Sequence, residues 1–175
     1  MVYCRSLRLA LIAALLVTLV GCSRSPTAVQ GPWSPILLRG AGTEPDSLDP
    51  QKARSVESQA ILRDLCEGLT TLDKTAGVAP GVATDWNVSA DGKTYTFNLR
   101  PEARWSNGER VVAADFVAAL RRLVAPATAS SYAQVIDVVE NAGDIVAGKK
   151  PPEALGVSAP ADSTLIIELD RKSVV

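Results

Sequence analysis

Few side chains in this chain could do chemistry. Histidine is absent, which removes imidazole as a general base, as a metal ligand and as the relay of a serine triad. The serines stand in no GxSxG elbow, and neither a GxxxxGK nor a GxGxxG phosphate loop occurs. Two carboxylate pairs remain, Asp46 with Asp49 and Asp137 with Glu140. Paired carboxylates serve glycoside hydrolysis, but the first pair lies in a Pro-containing turn and the second at helical spacing. Turn formation and a solvated helix face account for them better. Trp86, Tyr95 and Trp105 could line a cleft or fill the core. Tyr132 differs in context: it follows the small polar run Thr128-Ala129-Ser130-Ser131 after a helix break, where a phenol can stand at a cleft rim. No catalytic residue, metal site or cofactor is predicted.

The three cysteines divide by position. Cys4 falls in a leader, Cys22 at its end, and Cys66 alone in the body, so the body has no intrachain disulfide. Cys66 continues the apolar series Ile61, Leu62, Leu65, Leu69 and is expected to be a buried structural thiol. In the leader, Arg5 and Arg8 precede an uncharged apolar run over 9–20. That run is too short to span a bilayer core of ~30 Å comfortably as a helix. Residues 1–21 therefore read as a signal peptide. Leu19-Val20-Gly21-Cys22 resembles the lipobox of bacterial lipoproteins, in which the Cys22 thiol is alkylated by diacylglycerol and anchors the mature chain to a membrane. The alternative is an ordinary secretory signal with an incidental cysteine.

The elements that must position these residues follow from pattern. The chain is 47% hydrophobic and 21% charged, a globular composition. Its net charge is −1, with two arginines in the leader, which leaves no basic face for nucleic acid. Residues 22–35, rich in Ser, Pro, Gly and Thr, form a flexible tether, and 36–39 a short strand. A helix capped by Ser55 or Ser58 runs to about Glu67 through Ile61, Leu62, Leu65 and Cys66, with Gly68 as its stop. Residues 69–72 return as a strand. The clearest hairpin joins 83–89 to 94–99 through Asp91-Gly92; Tyr95, Phe97 and Leu99 share one face of its second strand. After the Ser106-Asn107-Gly108 turn, a helix spans Ala113–Val124 on an inner face of Phe116, Leu120 and Leu123, ended by Pro126. Helical segments over 132–139 and 142–146 and a closing hairpin of 157–159 with 164–169 complete the pattern. The final six residues, DRKSVV, are what a common sequencing adapter encodes in frame, so 170–175 are expected to be a non-native tail.

Several spaced motifs carry a resemblance. Asp85-Trp86, Asp91-Gly92-Lys93-Thr94-Tyr95-Thr96-Phe97, Leu99-Arg100, Trp105-Ser106-Asn107-Gly108 and Ala113 with Asp115-Phe116-Val117 resemble the extracytoplasmic solute-binding proteins of family 5, the peptide and nickel class. Ser47-Leu48-Asp49-Pro50, Asp64-Leu65-Cys66-Glu67-Gly68-Leu69 and the run from Pro126 to Ala133 are most similar to its oligopeptide-binding members. The match covers roughly 37–169. It implies an α/β, periplasmic-binding-protein-like fold of the two-lobed type II kind. Family members are longer, so 36–72 would begin one lobe and 73–169 would form most of a smaller extra domain. The implied function is capture of oligopeptides outside the cytoplasmic membrane, mainly through peptide main-chain hydrogen bonds, by a monomer that delivers them to the permease subunits of an ABC transporter. Carried over residue by residue, Arg54, Ser55 and Val56 would contact the peptide main chain and Tyr132 would approach it. The acidic anchor for the peptide's ammonium group would lie outside this sequence. Two departures stand out: Arg54 replaces a frequent acid, and Val112 replaces the Thr or Ser cap of the helix at Ala113. Other readings are a binder of dipeptides, nickel or another small ligand in the same family, a lipid-anchored cell-wall enzyme, and a structural surface lipoprotein.

Overall fold

The computed structural model describes residue 40 and residues 42–170. The leader, the tether with Cys22, the strand expected at 36–39 and residues 171–175 lie outside the described residues.

Helix α1 spans Val56–Leu65. Ser55, not Ser58, is its cap: Ser55 has extended backbone (φ −75°, ψ 154°) and its hydroxyl accepts the Ser58 N–H. Ser58 lies inside the helix and is fully buried with Leu62. The helix ends earlier than expected, at Leu65. Cys66 is already extended (φ −120°, ψ 146°), so Gly68 is not the stop. The reason is pairing further on: Gly68 C=O accepts the Val82 N–H, and Leu69 C=O accepts those of Gly81 and Ala83. The chain must therefore be strand-like by residue 68. This also overturns the buried thiol, because Cys66 is exposed and Leu65 beside it is 70% exposed.

Strand β1 (Thr70–Leu72) pairs antiparallel with β2 (Val78–Pro80) across a turn in which the Asp73 carboxylate accepts the N–H groups of Thr75 and Gly77. The main sheet has four antiparallel strands, β3 (Ala83–Val88), β4 (Thr94–Leu99), β5 (Val157–Ala161) and β6 (Thr164–Glu168), in the order β3-β4-β6-β5. The β3–β4 turn places Gly92 at φ 73°, the left-handed region that glycine adopts without a Cβ clash. On the expected face of β4, Leu99 is buried while Tyr95 and Phe97 are half-buried. Trp86 sits opposite Phe97 in register, with ring centroids 6.2 Å apart. β5 runs two residues longer than expected because Ala161 pairs with Thr164.

Helix α2 (Ala113–Val124) packs on β5 and β6. Its buried stripe is Ala113, Val117 and Val124, with Phe116 and Leu120 partly buried against the core. Leu123, expected on the inner face, is not part of that packing; the i, i+4 row through Ala113 and Val117 reaches the core first. Val112 supplies no side-chain cap, as its type dictates. The Asp115 carboxylate instead accepts the Val112 N–H at 2.9 Å, and Asp162 C=O accepts the Ala113 N–H at 2.7 Å. Beyond α2 come a 3₁₀ turn (Pro126–Thr128), a second one (Ala133–Ile136) and α3 (Ala142–Val146). The second turn replaces the longer helix expected at 132–139. Tyr132 is not helical (φ −118°, ψ 13°), and Val139 forms a β-bridge to Leu169. Ile145 and Leu165, both fully buried, lie in the core between the helices and the sheet.

Candidate functional site

The local sequence around Arg54 folds about one carboxylate. Asp46 accepts the N–H of Arg54 at 3.0 Å, the N–H of Ser55 at 3.1 Å and the hydroxyl of Ser58 at 2.7 Å. These bonds, with Ser58 foremost, hold the Asp46 carboxyl well below the usual carboxylate range. The Arg54 guanidinium approaches the same group at 3.6 Å but stays largely in solvent. Ser55 is occupied internally at every polar group. Its N–H goes to Asp46, its C=O accepts the Gln59 N–H, and its hydroxyl is shared with Ser58. By contrast, Arg54 C=O and Val56 N–H have no partner among the described residues. Val56 is 81% exposed. Among the described residues, an acceptor and a donor without partners thus flank Ser55 on an accessible segment.

Asp49, three residues after Asp46, anchors the next turn. Its C=O accepts the N–H groups of Lys52 and Ala53. Its carboxylate meets the guanidinium of Arg122 at 2.9 and 2.6 Å in a two-point fork. The Arg122 bond, then the Gln51 N–H, pull the Asp49 carboxyl down from 3.8 to about 2. The first carboxylate pair is thus structural on both members. Sequence reasoning saw the turn but missed Arg122, because 73 residues separate it from Asp49. The only local signal was a basic residue in the last turn of α2.

Tyr132 is 42% exposed, follows Ser130 whose hydroxyl accepts the Tyr132 N–H at 3.2 Å, and carries a phenol hydroxyl with no partner among the described residues. No hydrogen bond or ion pair joins it to residues 54–56 among the described residues. A separate groove of about 620 Å³ is lined by Leu65, Cys66, Glu67, Arg100, Trp105 and Phe116, among others, and includes none of the four expected contact residues. Arg100 bridges to Glu67 on its wall and lowers the Glu67 pKa. Of the three aromatics that could line a cleft, Trp105 faces this groove; Trp86 and Tyr95 are half-buried on the sheet. Among the described residues, no group of three acidic or cysteine side chains is placed to hold a metal ion.

Residues 77–174 match the family described as bacterial extracellular solute-binding proteins, family 5, middle. The chain is 48% identical over 128 residues to the periplasmic oligopeptide-binding protein OppA of Haemophilus influenzae, covering 72% of this chain and 24% of that protein. To its Salmonella typhimurium namesake it is 42% identical over 166 residues, covering 91% and 30%. Among solved structures it is similar to the Escherichia coli murein tripeptide-binding protein MppA (TM-score 0.72, 42% identity, 74% of this chain and 26% of that one). It is also similar to the Haemophilus influenzae OppA complex with the peptide RPPGFSPFR (TM-score 0.71, 45% identity, 74% and 26%). The chain thus spans between a quarter and a third of the length of these relatives and shares the α/β fold of periplasmic peptide-binding proteins over that part. The chain therefore belongs to the bacterial extracellular solute-binding proteins of family 5.

Proposed function

We propose that the protein captures oligopeptides outside the cytoplasmic membrane and hands them to the permease subunits of an ABC transporter. It acts as a monomer, tethered through lipid on Cys22. The observation that carries this reading is that, among the described residues, the Arg54 C=O and the Val56 N–H have no partner on a segment whose other main-chain groups are satisfied. An extended peptide presents one donor and one acceptor per residue and can pair with such a segment as an added strand would. Side chains need not be read, so many sequences fit. Ser55 holds the segment from within, and Tyr132 offers its phenol from the other side. Relatives named as oligopeptide-binding, one of them solved with a nine-residue peptide, support the substrate class. Capture and release by lobe closure make and break no covalent bond; the protein is not an enzyme.

The test uses the full-length gene product, extracted natively and then denatured, with released ligands identified by mass spectrometry. Mixed short peptides are expected; a non-peptide ligand, or none together with no rise in melting temperature on adding peptides, would overturn the reading. Val56→Pro sharpens it. Val56 is the first residue of α1, where proline is well tolerated, and Ser55 before it already has the extended backbone proline requires. The substitution removes only the free N–H and should weaken peptide binding by about fivefold, one hydrogen bond's worth, with Val56→Ala as the control for side-chain volume.

A further inference from the structure

We infer that Arg122 is the positioning residue that sets the two halves of the peptide site, residues 54–56 and Tyr132, relative to each other. The inference rests on the peptide-binding reading above. Arg122 is tied in two directions. Through its side chain it grips the turn before Arg54: Nη1 and Nη2 donate to the two oxygens of Asp49 at 2.9 and 2.6 Å, and Nη1 also donates to Gln51 Oε1 at 2.5 Å. Gln51 returns the contact, donating from Nε2 to Ala119 C=O on α2 at 2.6 Å. Asp49 C=O in turn accepts from Ala53, a fully buried residue adjacent to Arg54. Through its backbone, Arg122 C=O accepts the hydroxyl of Thr128 at 2.5 Å. Thr128 is itself buried, and Ala129 after it turns left-handed (φ 50°), so this anchor fixes where the Ser130 to Tyr132 stretch departs. A short series of bonds therefore runs from Ala53 through Asp49, Arg122 and Thr128 toward Tyr132.

The chemistry of the fork suits positioning better than stabilisation. The Arg122 side chain is 49% exposed and that of Asp49 28% exposed. Ion pairs this open to water add little to global stability. A planar guanidinium holding both oxygens of one carboxylate does fix orientation, which a lysine ammonium cannot reproduce. Loss of Arg122 should leave the fold standing and let the turn and the Tyr132 segment drift apart.

The test compares the full-length gene product with Arg122→Gln, Arg122→Lys, Asp49→Asn and the Arg122→Gln/Asp49→Asn double variant. The readouts are calorimetric titration with a mixed tripeptide and hydrogen exchange of the amides in 50–56 and 129–132. Each single variant should weaken binding on the order of tenfold, the scale of coupling between linked sites, with a small change in melting temperature. The double variant should be no worse than either single one, Lys should fall near Gln, and exchange should quicken in 50–56, which the side-chain fork ties to α2, while 129–132, anchored through the Arg122 backbone carbonyl, keeps its rate. Unchanged affinity in folded Arg122→Gln, additive losses in the double variant, or unchanged exchange in 50–56 would each overturn the proposal. If the unaltered protein binds no peptide at all, the functional reading fails. In that case the exchange experiment decides the clamp by itself: faster exchange in 50–56 supports Arg122 as the link, and its absence removes it.

Discussion

Ser55 shows how a residue can sit in a candidate contact segment with all of its own polar groups already bonded within the chain. Its hydroxyl caps α1, its N–H is bound to Asp46, and its C=O closes the first turn of the helix. Ser55→Ala should therefore cost about 1 kcal/mol, the usual value of an N-cap, seen as a lower denaturation midpoint at unchanged slope. Asp49 makes a second prediction at this scale. Its carboxyl is shifted down from 3.8 to about 2, chiefly by the Arg122 hydrogen bond. A depressed folded-state value means the stabilisation is fully present above the unfolded value and is lost as pH falls through the folded one. Stability should thus hold from neutral pH to about pH 5 and decline between about pH 4 and pH 2. Asp46 acts in the same direction. Because a pair this open to water contributes little, Arg122→Gln should flatten the Asp49 part of that decline only slightly in urea denaturation midpoints taken across the range; a steeper acid limb in the variant would contradict the assignment.

Among the elements, α2 begins without a side-chain cap and compensates from neighbouring chain. Asp162 C=O takes the Ala113 N–H, and the Asp115 carboxylate takes those of Val112 and the Trp105 indole. The backbone at Val112 (φ −123°, ψ 160°) is nevertheless that of an N-cap. Val112→Thr keeps the shape and adds the missing acceptor, so it should stabilise the chain by about 0.5–1 kcal/mol. Chemical denaturation checks this; a loss instead of a gain would mean that burying the hydroxyl outweighs the new bond. The end of α1 teaches the reverse lesson. Its apolar series continued to Cys66, but the pairing of Gly68 and Leu69 with 81–83 decided where the helix stopped.

For the whole molecule, the consequence is an exposed thiol on an apolar groove. In the 175-residue chain, Cys66 should be alkylated by iodoacetamide under native conditions at a rate near that in denaturant, read by mass spectrometry of the peptide containing it. Strong protection would place further structure over that groove. The same surface carries Leu65 and Trp105, both largely exposed.

The sequence by itself determined most of the local architecture. The β3–β4 hairpin, α2 and the β5–β6 hairpin were legible because strict alternation, helical spacing and Gly-containing turns are properties of adjacent residues. The family was legible for the same reason, through short motifs in order. What only the tertiary structure decided depends on partners far apart in the chain. Asp46 was readable as a turn residue, but its grip on the Arg54 and Ser55 amides needed the fold of 46–58. Arg122 was readable as a favourable charge at a helix end, but its hold on Asp49 needed α2 laid beside that turn. Which main-chain groups stay free for a ligand is the remainder after all such bonds are made, and no local pattern contains that remainder.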